Sequence, residues 1–291
     1  MNKKTKKRWM IVSAISISVI LLIIVFSMTS SNIPETTAGN VAVIKINGEI
    51  GGTSILGGGV DSDDVLELIQ EAENNKGIDA ILLEINSPGG SPVASEEIAN
   101  AVKESSKLSI ALIRDIGASG AYWIASAADV VIASPASLTG SIGVTASYLE
   151  FTGLMEKYGI GYEEIKSGEY KELGSPFRTL TEKEKDIFQE KIDELHEYFV
   201  KSIRENRKLN DNQTKEVSTA MFYLGSEAKQ LGLVDVLGGR KEAEEIIKAR
   251  LVVKKVNFIE YRKAKGFFEL LSEVIAGQSL SIKNQPVIQA K

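Results

Sequence analysis

A chain of 291 residues with 43% hydrophobic and 25% charged side chains has ample material for a folded core, which excludes a wholly disordered protein. Its net charge of −5 hides a division: five of the 34 Lys and Arg (Lys3, Lys4, Lys6, Lys7, Arg8) stand in the acid-free first eight residues, leaving 29 cations against 39 acids. So acidic a body lacks the footprint of a nucleic-acid binder; with no cysteine and a single histidine, His196, disulfides, thiolate sites and histidine-rich metal sites fall away too, and no metal or cofactor is expected.

Residues 1–8 form a basic tail, and residues 9–28 an uncharged apolar run long enough to cross a bilayer as a helix. The positive-inside rule puts the N-terminus in the cytoplasm and everything after the run on the far side of the cell membrane. A cleaved signal peptide starts in the same way, but no Ala-x-Ala site directly follows Met28, so a single-pass anchor is the expectation. Residues 29–40, polar and containing Pro34, read as a linker, 41–265 as one domain, and 266–291 as an amphipathic helix with a loose tail.

Inside the domain, apolar runs predict strands at 41–47, mostly buried, at 80–85, covered on both faces, at 108–113, also buried, and at 130–133. Helical spacing falls between them at 61–75, 92–107 and 119–128. Strand–helix alternation of this kind favours an α/β layered fold with largely parallel strands. Beyond it the pattern predicts a helix at 154–158, a strand at 162–166, a long amphipathic helix over 181–209, helices at 226–232 and 240–249, and a late strand within 252–261.

Two strand-to-helix junctions carry the candidate chemistry, since ligands of α/β sheets bind beyond strand ends. Asn86-Ser87-Pro88-Gly89-Gly90 is either a plain turn or a turn that aims bare amides at a ligand, with the Gly90 N–H as an oxyanion donor. Asp115-Ile-Gly-Ala-Ser119-Gly-Ala-Tyr-Trp123 puts Ser119 at a helix N-terminus between small residues, as a nucleophile or as an ordinary N-cap. Gly-x-Ser-x-Gly is not complete, because Ala121 takes the last place. A serine nucleophile needs a base. His196 lies among charged neighbours and reads as a solvated helix residue, so the base would be a lysine made neutral by burial. Lys171 and Lys166 both qualify by position. Ser141, in Leu138-Thr-Gly-Ser-Ile-Gly-Val144, is a turn serine, a second nucleophile or the hydroxyl that orients the amine.

Taken in order, Asn86-Ser-Pro-Gly-Gly90, Ala118-Ser-Gly-Ala-Tyr-Trp123, Leu138-Thr-Gly-Ser-Ile-Gly-Val144, Lys166-Ser-Gly-x-x-Lys171 and Leu231-Gly-Leu-Val-Asp235 resemble the signal peptide peptidase A family of bacterial Ser/Lys proteases, in its short single-domain form. The resemblance covers roughly residues 41–249. It implies a ClpP/crotonase-like α/β spiral of repeated strand-strand-helix units, here preceded by the transmembrane helix. It implies Ser119 as nucleophile, Lys171 as general base, Ser141 as the serine that holds the base, and the Gly90 and Gly120 amides as the oxyanion hole. It also implies a homo-oligomeric ring on the membrane, sites shared between subunits, and substrates that are signal-peptide remnants and other unfolded apolar peptides. Where many relatives carry a second glycine after the nucleophile, this chain has Ala121, which leaves the catalytic group intact. A crotonase-like acyl-CoA enzyme would need carboxylates at the site and a cytoplasmic address. A catalytically silent scaffold would be favoured only if Ser119 or Lys171 were missing.

Overall fold

The computed structural model describes residues 41–51 and 59–263. The expected anchor at 9–28, its tail and linker, and the helix expected from 266 lie outside these residues; among those described, no helix is long and apolar enough to cross a membrane.

In chain order, β1 (Val41–Asn47) precedes α1 (Ser62–Asn74), β2 (Ala80–Ser87) precedes α2 (Pro92–Glu104), and β3 (Leu108–Ala118) runs almost directly into α3 (Gly120–Ser126). There follow β4 (Val130–Ala133), β5 (Leu138–Gly140), α4 (Thr152–Tyr158) and the long α5 (Glu182–Arg207). The order ends with α6 (Asp211–Val217), β6 (Phe222–Leu224), α7 (Gly225–Gln230), β7 (Val236–Leu237), α8 (Arg240–Leu251) and β8 (Phe258–Tyr261). The strands pair in the order β6-β5-β3-β2-β1-β8, with β4 on β3 and β7 on β4. Only β5 with β6 is antiparallel among them.

The near-continuous apolar runs arise because both faces of the sheet are covered. Alternate residues Ala42, Ile44, Ile46, Leu83 and Ile85 face one core with α1, α2, α3 and α5, while Val41, Val43, Leu82, Ile110 and Leu112 face another with Ala243 and Ile247 of α8. Helix α3 is buried along its whole length, which explains why it carries no charge.

Strand β3 is where the fold turns toward the site. Its first half pairs with β4, Ile110 to Ile113 against Val130 to Ala133, and its second half with β5, Ile116 to Ala118 against Leu138 to Gly140. Between the halves Arg114 and Asp115 are exposed, and the register with β2 slips so that Ile85 faces Ile113 but Ser87 faces Gly117. Side chains fill the gap in the ladder: Asn86 Oδ1 accepts from the Ile116 N–H at 3.1 Å, and Ser137 Oγ donates to the Arg114 carbonyl. The bulge re-aims the strand, as such insertions do.

This explains why β3 continues to Ala118 instead of ending at Ile113. Other departures also have physical causes. No strand forms at 162–166: Tyr162 and Ile165 are exposed and no described strand lies alongside. The late strand starts only at Phe258, because Val252 takes a left-handed φ of 57° as C-cap of α8. β5, β6, β7 and α6 are too short to display a period and were not expected.

The Leu231-Gly-Leu-Val-Asp235 segment is a clamp on the sheet and α3. Tyr122, fully buried in α3, donates to the Leu233 carbonyl at 2.7 Å, and burial pushes its hydroxyl pKa up. Asp235 Oδ2 accepts from the Val131 N–H at 2.7 Å, while Oδ1 pairs with Arg207 at 2.5 Å. Replacing Asp235 by Ala strands the largely buried Arg207 and a β4 amide together. An expected loss of roughly 2–3 kcal/mol is read by urea unfolding; an unchanged midpoint would show that the clamp contributes nothing.

Helix α5 starts at a capping box: Thr181 Oγ1 accepts from the Glu184 N–H at 3.3 Å and Glu184 Oε2 from the Thr181 N–H at 2.9 Å. Arg178 adds a two-point pair at 2.8 and 2.6 Å. That guanidinium, with the Thr181 amide, holds the Glu184 carboxyl at about 2, down from 4.5. A carboxyl depressed by folding contributes stability that is full above its unfolded pKa and is lost as pH falls through the folded one. The melting temperature should therefore fall between about pH 4.5 and pH 2. Glu184→Gln should lower it at neutral pH and flatten that acid limb; a parallel profile in the variant would refute the assignment.

Candidate active site

Ser119 sits at the corner between β3 and α3 with φ 53° and ψ −126°, a region that L-residues seldom adopt. Three hydrogen bonds keep it there. Its N–H donates to the Gly140 carbonyl at 2.8 Å, and its carbonyl accepts from Tyr122 N–H at 2.9 Å and Trp123 N–H at 3.0 Å. The side chain therefore stands clear of the helix that follows.

Two of the neighbouring glycines are required by space. A Cβ on Gly89, whose φ is +106°, would lie 2.8 Å from both the Ser119 Cβ and the Gly120 nitrogen. One on Gly90 would lie 2.1 Å from the Ile50 carbonyl oxygen. The turn is set by Ser87, whose buried Oγ accepts from the Gly89 N–H at 3.1 Å, and by pairing with Ile50 on either side of Gly90. Among the described residues, the Gly90 and Gly120 amides donate to no protein acceptor. They are close together: a Cβ on Gly120 would come within 3.5 Å of the Gly90 nitrogen. Two unused N–H groups beside a serine hydroxyl suit an oxyanion.

A cavity of about 130 Å³ opens beside these groups. Gly90, Ser119 and Gly120 form one side, and Gly143, Val144 and Thr145 another. Its apolar lining is Trp123, Leu195 and Phe199, with the Trp123 and Phe199 rings stacked at 4.5 Å. Larger hollows over α5 and α1 are lined mainly by solvated polar side chains and contain no nucleophile.

The remaining predicted residues divide. Ser141 follows Gly140, the acceptor of the Ser119 amide; it has φ 49° and donates its N–H to Met221 O at 2.9 Å. Lys171 lies elsewhere, exposed in a turn around 167–174, outside the lining of the Ser119 cavity. Among the described residues its ammonium makes no ion pair, whereas Lys166 is tied to Glu164 at 2.6 Å. The lysine loop is organised by carboxylates: burial, then the Glu164 beside it, pushes the Glu172 carboxyl up, while the bonds from Glu172 and Lys166 hold Glu164 down. Within one chain, then, Ser141 directly follows the residue that binds the Ser119 amide, and neither Ser141 nor Lys171 lines the Ser119 cavity.

His196 corrects its sequence reading. It is half-buried, with Nε2 3.0 Å from the Ile142 carbonyl oxygen. The Leu195 and Phe199 contributions to the cavity were also missed, although their i,i+4 spacing with Ile203 marks one helix face.

Comparison with known proteins agrees with this geometry. Residues 101–254 match peptidase family S49. A Methanocaldococcus jannaschii protein whose name places it among proteases is 33% identical over 270 residues, covering 89% of this chain and 86% of the relative. The chloroplastic serine protease SPPA of Arabidopsis thaliana is 30% identical over 80% of this chain, which spans only 36% of that longer protein. A solved membrane-bound stomatin-specific protease superposes with a TM-score of 0.51 at 17% identity, covering 78% of this chain and 99% of the other. The fold is α/β and is shared with that protease. The chain belongs to peptidase family S49 and is a serine peptidase.

Proposed function

We propose that the chain is a membrane-anchored endopeptidase with a Ser119/Lys171 dyad that cuts signal-peptide remnants and other unfolded apolar peptides outside the cytoplasm. The observation that carries this is Ser119, held in its unusual backbone conformation beside two unused amides and an apolar cavity. Neutral Lys171 takes the Ser119 hydroxyl proton as Oγ bonds to the scissile carbonyl carbon, and the Gly90 and Gly120 N–H groups receive the oxyanion. The C–N bond then breaks, with the proton passing from lysine to the leaving amine. Water, deprotonated by the same lysine, hydrolyses the acyl-enzyme and frees Ser119. Each oxyanion donor of this kind is worth roughly 3–4 kcal/mol elsewhere.

The exposure of Lys171 away from the cavity supports a site completed by a neighbouring subunit, where the amine would meet Ser141 and lose water. An apolar cavity favours small apolar side chains at the cut. The uncharged run at 9–28 and the basic residues before it support the anchor.

The test uses the purified full-length chain in detergent and a fluorogenic peptide with small apolar residues before the scissile bond. Ser119→Ala and Lys171→Ala should each abolish turnover, and mixing the two under subunit exchange should restore part of it. Turnover surviving in Ser119→Ala would overturn the nucleophile. Near-normal turnover of Lys171→Ala at neutral pH would overturn the base. Two dead variants that stay dead after proven exchange would overturn the shared site.

A further inference from the structure

We infer that His196 is a positioning residue, holding the 143–145 lining of the Ser119 cavity through the Ile142 carbonyl. The inference rests on the peptidase reading above. A carbonyl oxygen can only accept, so the Nε2 atom 3.0 Å from Ile142 O carries the proton. The bond is available to the neutral ring in that tautomer and to the imidazolium alike.

What the bond holds is otherwise weakly held. Past Gly140 the chain leaves the sheet, and no helix begins until Thr152. Ser141 is fixed by its N–H to Met221 O, and Gly143 only by a local bond of 2.9 Å to Ser141 O. Among the described residues, no backbone–backbone hydrogen bond then occurs before Phe151, which donates to Pro176 O at 2.8 Å. Ile142 has its side chain fully buried, and its carbonyl is turned to α5. The next three residues line the same cavity as Ser119. Hence His196 is the last long-range anchor before the wall.

Helix α5 is a firm support for this. Trp123 Nε1 donates to Ser202 Oγ at 2.8 Å and Asn206 Nδ2 to Ser126 Oγ at 3.0 Å, fixing α5 to the helix that begins at Ser119. Phe199 stacks on Trp123 within the same contact. One helix thus braces both the nucleophile's helix and the segment that leads into 143–145, and His196 supplies the second brace. An extended substrate needs the distance between them kept constant.

His196→Leu and His196→Gln in the full-length protein test this. Leu removes the donor, whereas the Gln carboxamide can still reach the carbonyl. His196→Leu should lower kcat/KM for an extended peptide roughly three- to tenfold, with the loss falling on KM more than kcat, and His196→Gln should recover most of it. Amide exchange should accelerate in His196→Leu at Ser141 and Gly143, the two bonded N–H groups of this stretch, while the α5 amides stay as protected as in wild type. Unchanged kcat/KM in His196→Leu, a Gln variant as poor as Leu, or exchange that quickens throughout α5 would each overturn the positioning role. If wild type fails to cleave, or Ser119→Ala cleaves as well, the peptidase reading falls and the positioning role with it.

Discussion

Ser119 holds a backbone conformation that costs an L-residue on the order of 1–3 kcal/mol, and the surrounding chain is arranged so that it cannot relax. The Gly140 carbonyl fixes its amide, the first turn of α3 fixes its carbonyl, and the Gly89 backbone crowds its Cβ side. Relaxing the serine would require breaking the β3–β5 pairing or unwinding a wholly buried helix. Both are core structures, so local strain is held by long-range packing. The effect is to present the hydroxyl beside two amides without asking any side chain to move.

The route to that turn begins on the neighbouring strand. Asn86 and Ser87 end β2, and each uses its side chain to replace something the backbone cannot supply there. Asn86 caps the bulge in β3 and Ser87 closes the turn that brings Gly90 to Gly120. Had β3 stayed in register, its end would point along β2 and Ser119 would meet the sheet rather than the cavity. The Asn-Ser-Pro-Gly-Gly motif is therefore as much a device for directing β3 as a donor of an oxyanion amide.

Much of this was legible in the sequence because burial on both faces writes an uninterrupted apolar run, and because five short motifs stand in one order. The central strands, the long helix from Thr181 and the serine at a helix start all appear in the expected places. His196 was not legible: its neighbours Asp193, Glu194 and Glu197 are charged, and its partner Ile142 is 54 residues away. Nor was the bulge, although the charged pair Arg114 and Asp115 inside an apolar run marks where β3 leaves cover. Short strands such as β5 and β7 owe their existence to partners, not to local pattern, so no window of sequence reveals them.

Lys171 poses the sharpest physical demand of the proposed mechanism. A lysine serves as a base near neutral pH only when desolvation disfavours its charge, and in one chain this residue stands in water. The stretch of chain that leads up to it is not that of a solvated loop. Leu149, Leu154, Tyr158, Ile160 and Ile165 are all more than half exposed, between 53% and 97%, and Tyr170 directly precedes the lysine. A run of large apolar side chains left in solvent over so short a stretch of sequence is unfavourable unless another surface covers it. On the proposed reading, assembly and completion of the site are then one event, and an isolated chain would hold a prepared serine with its base still outside the cavity.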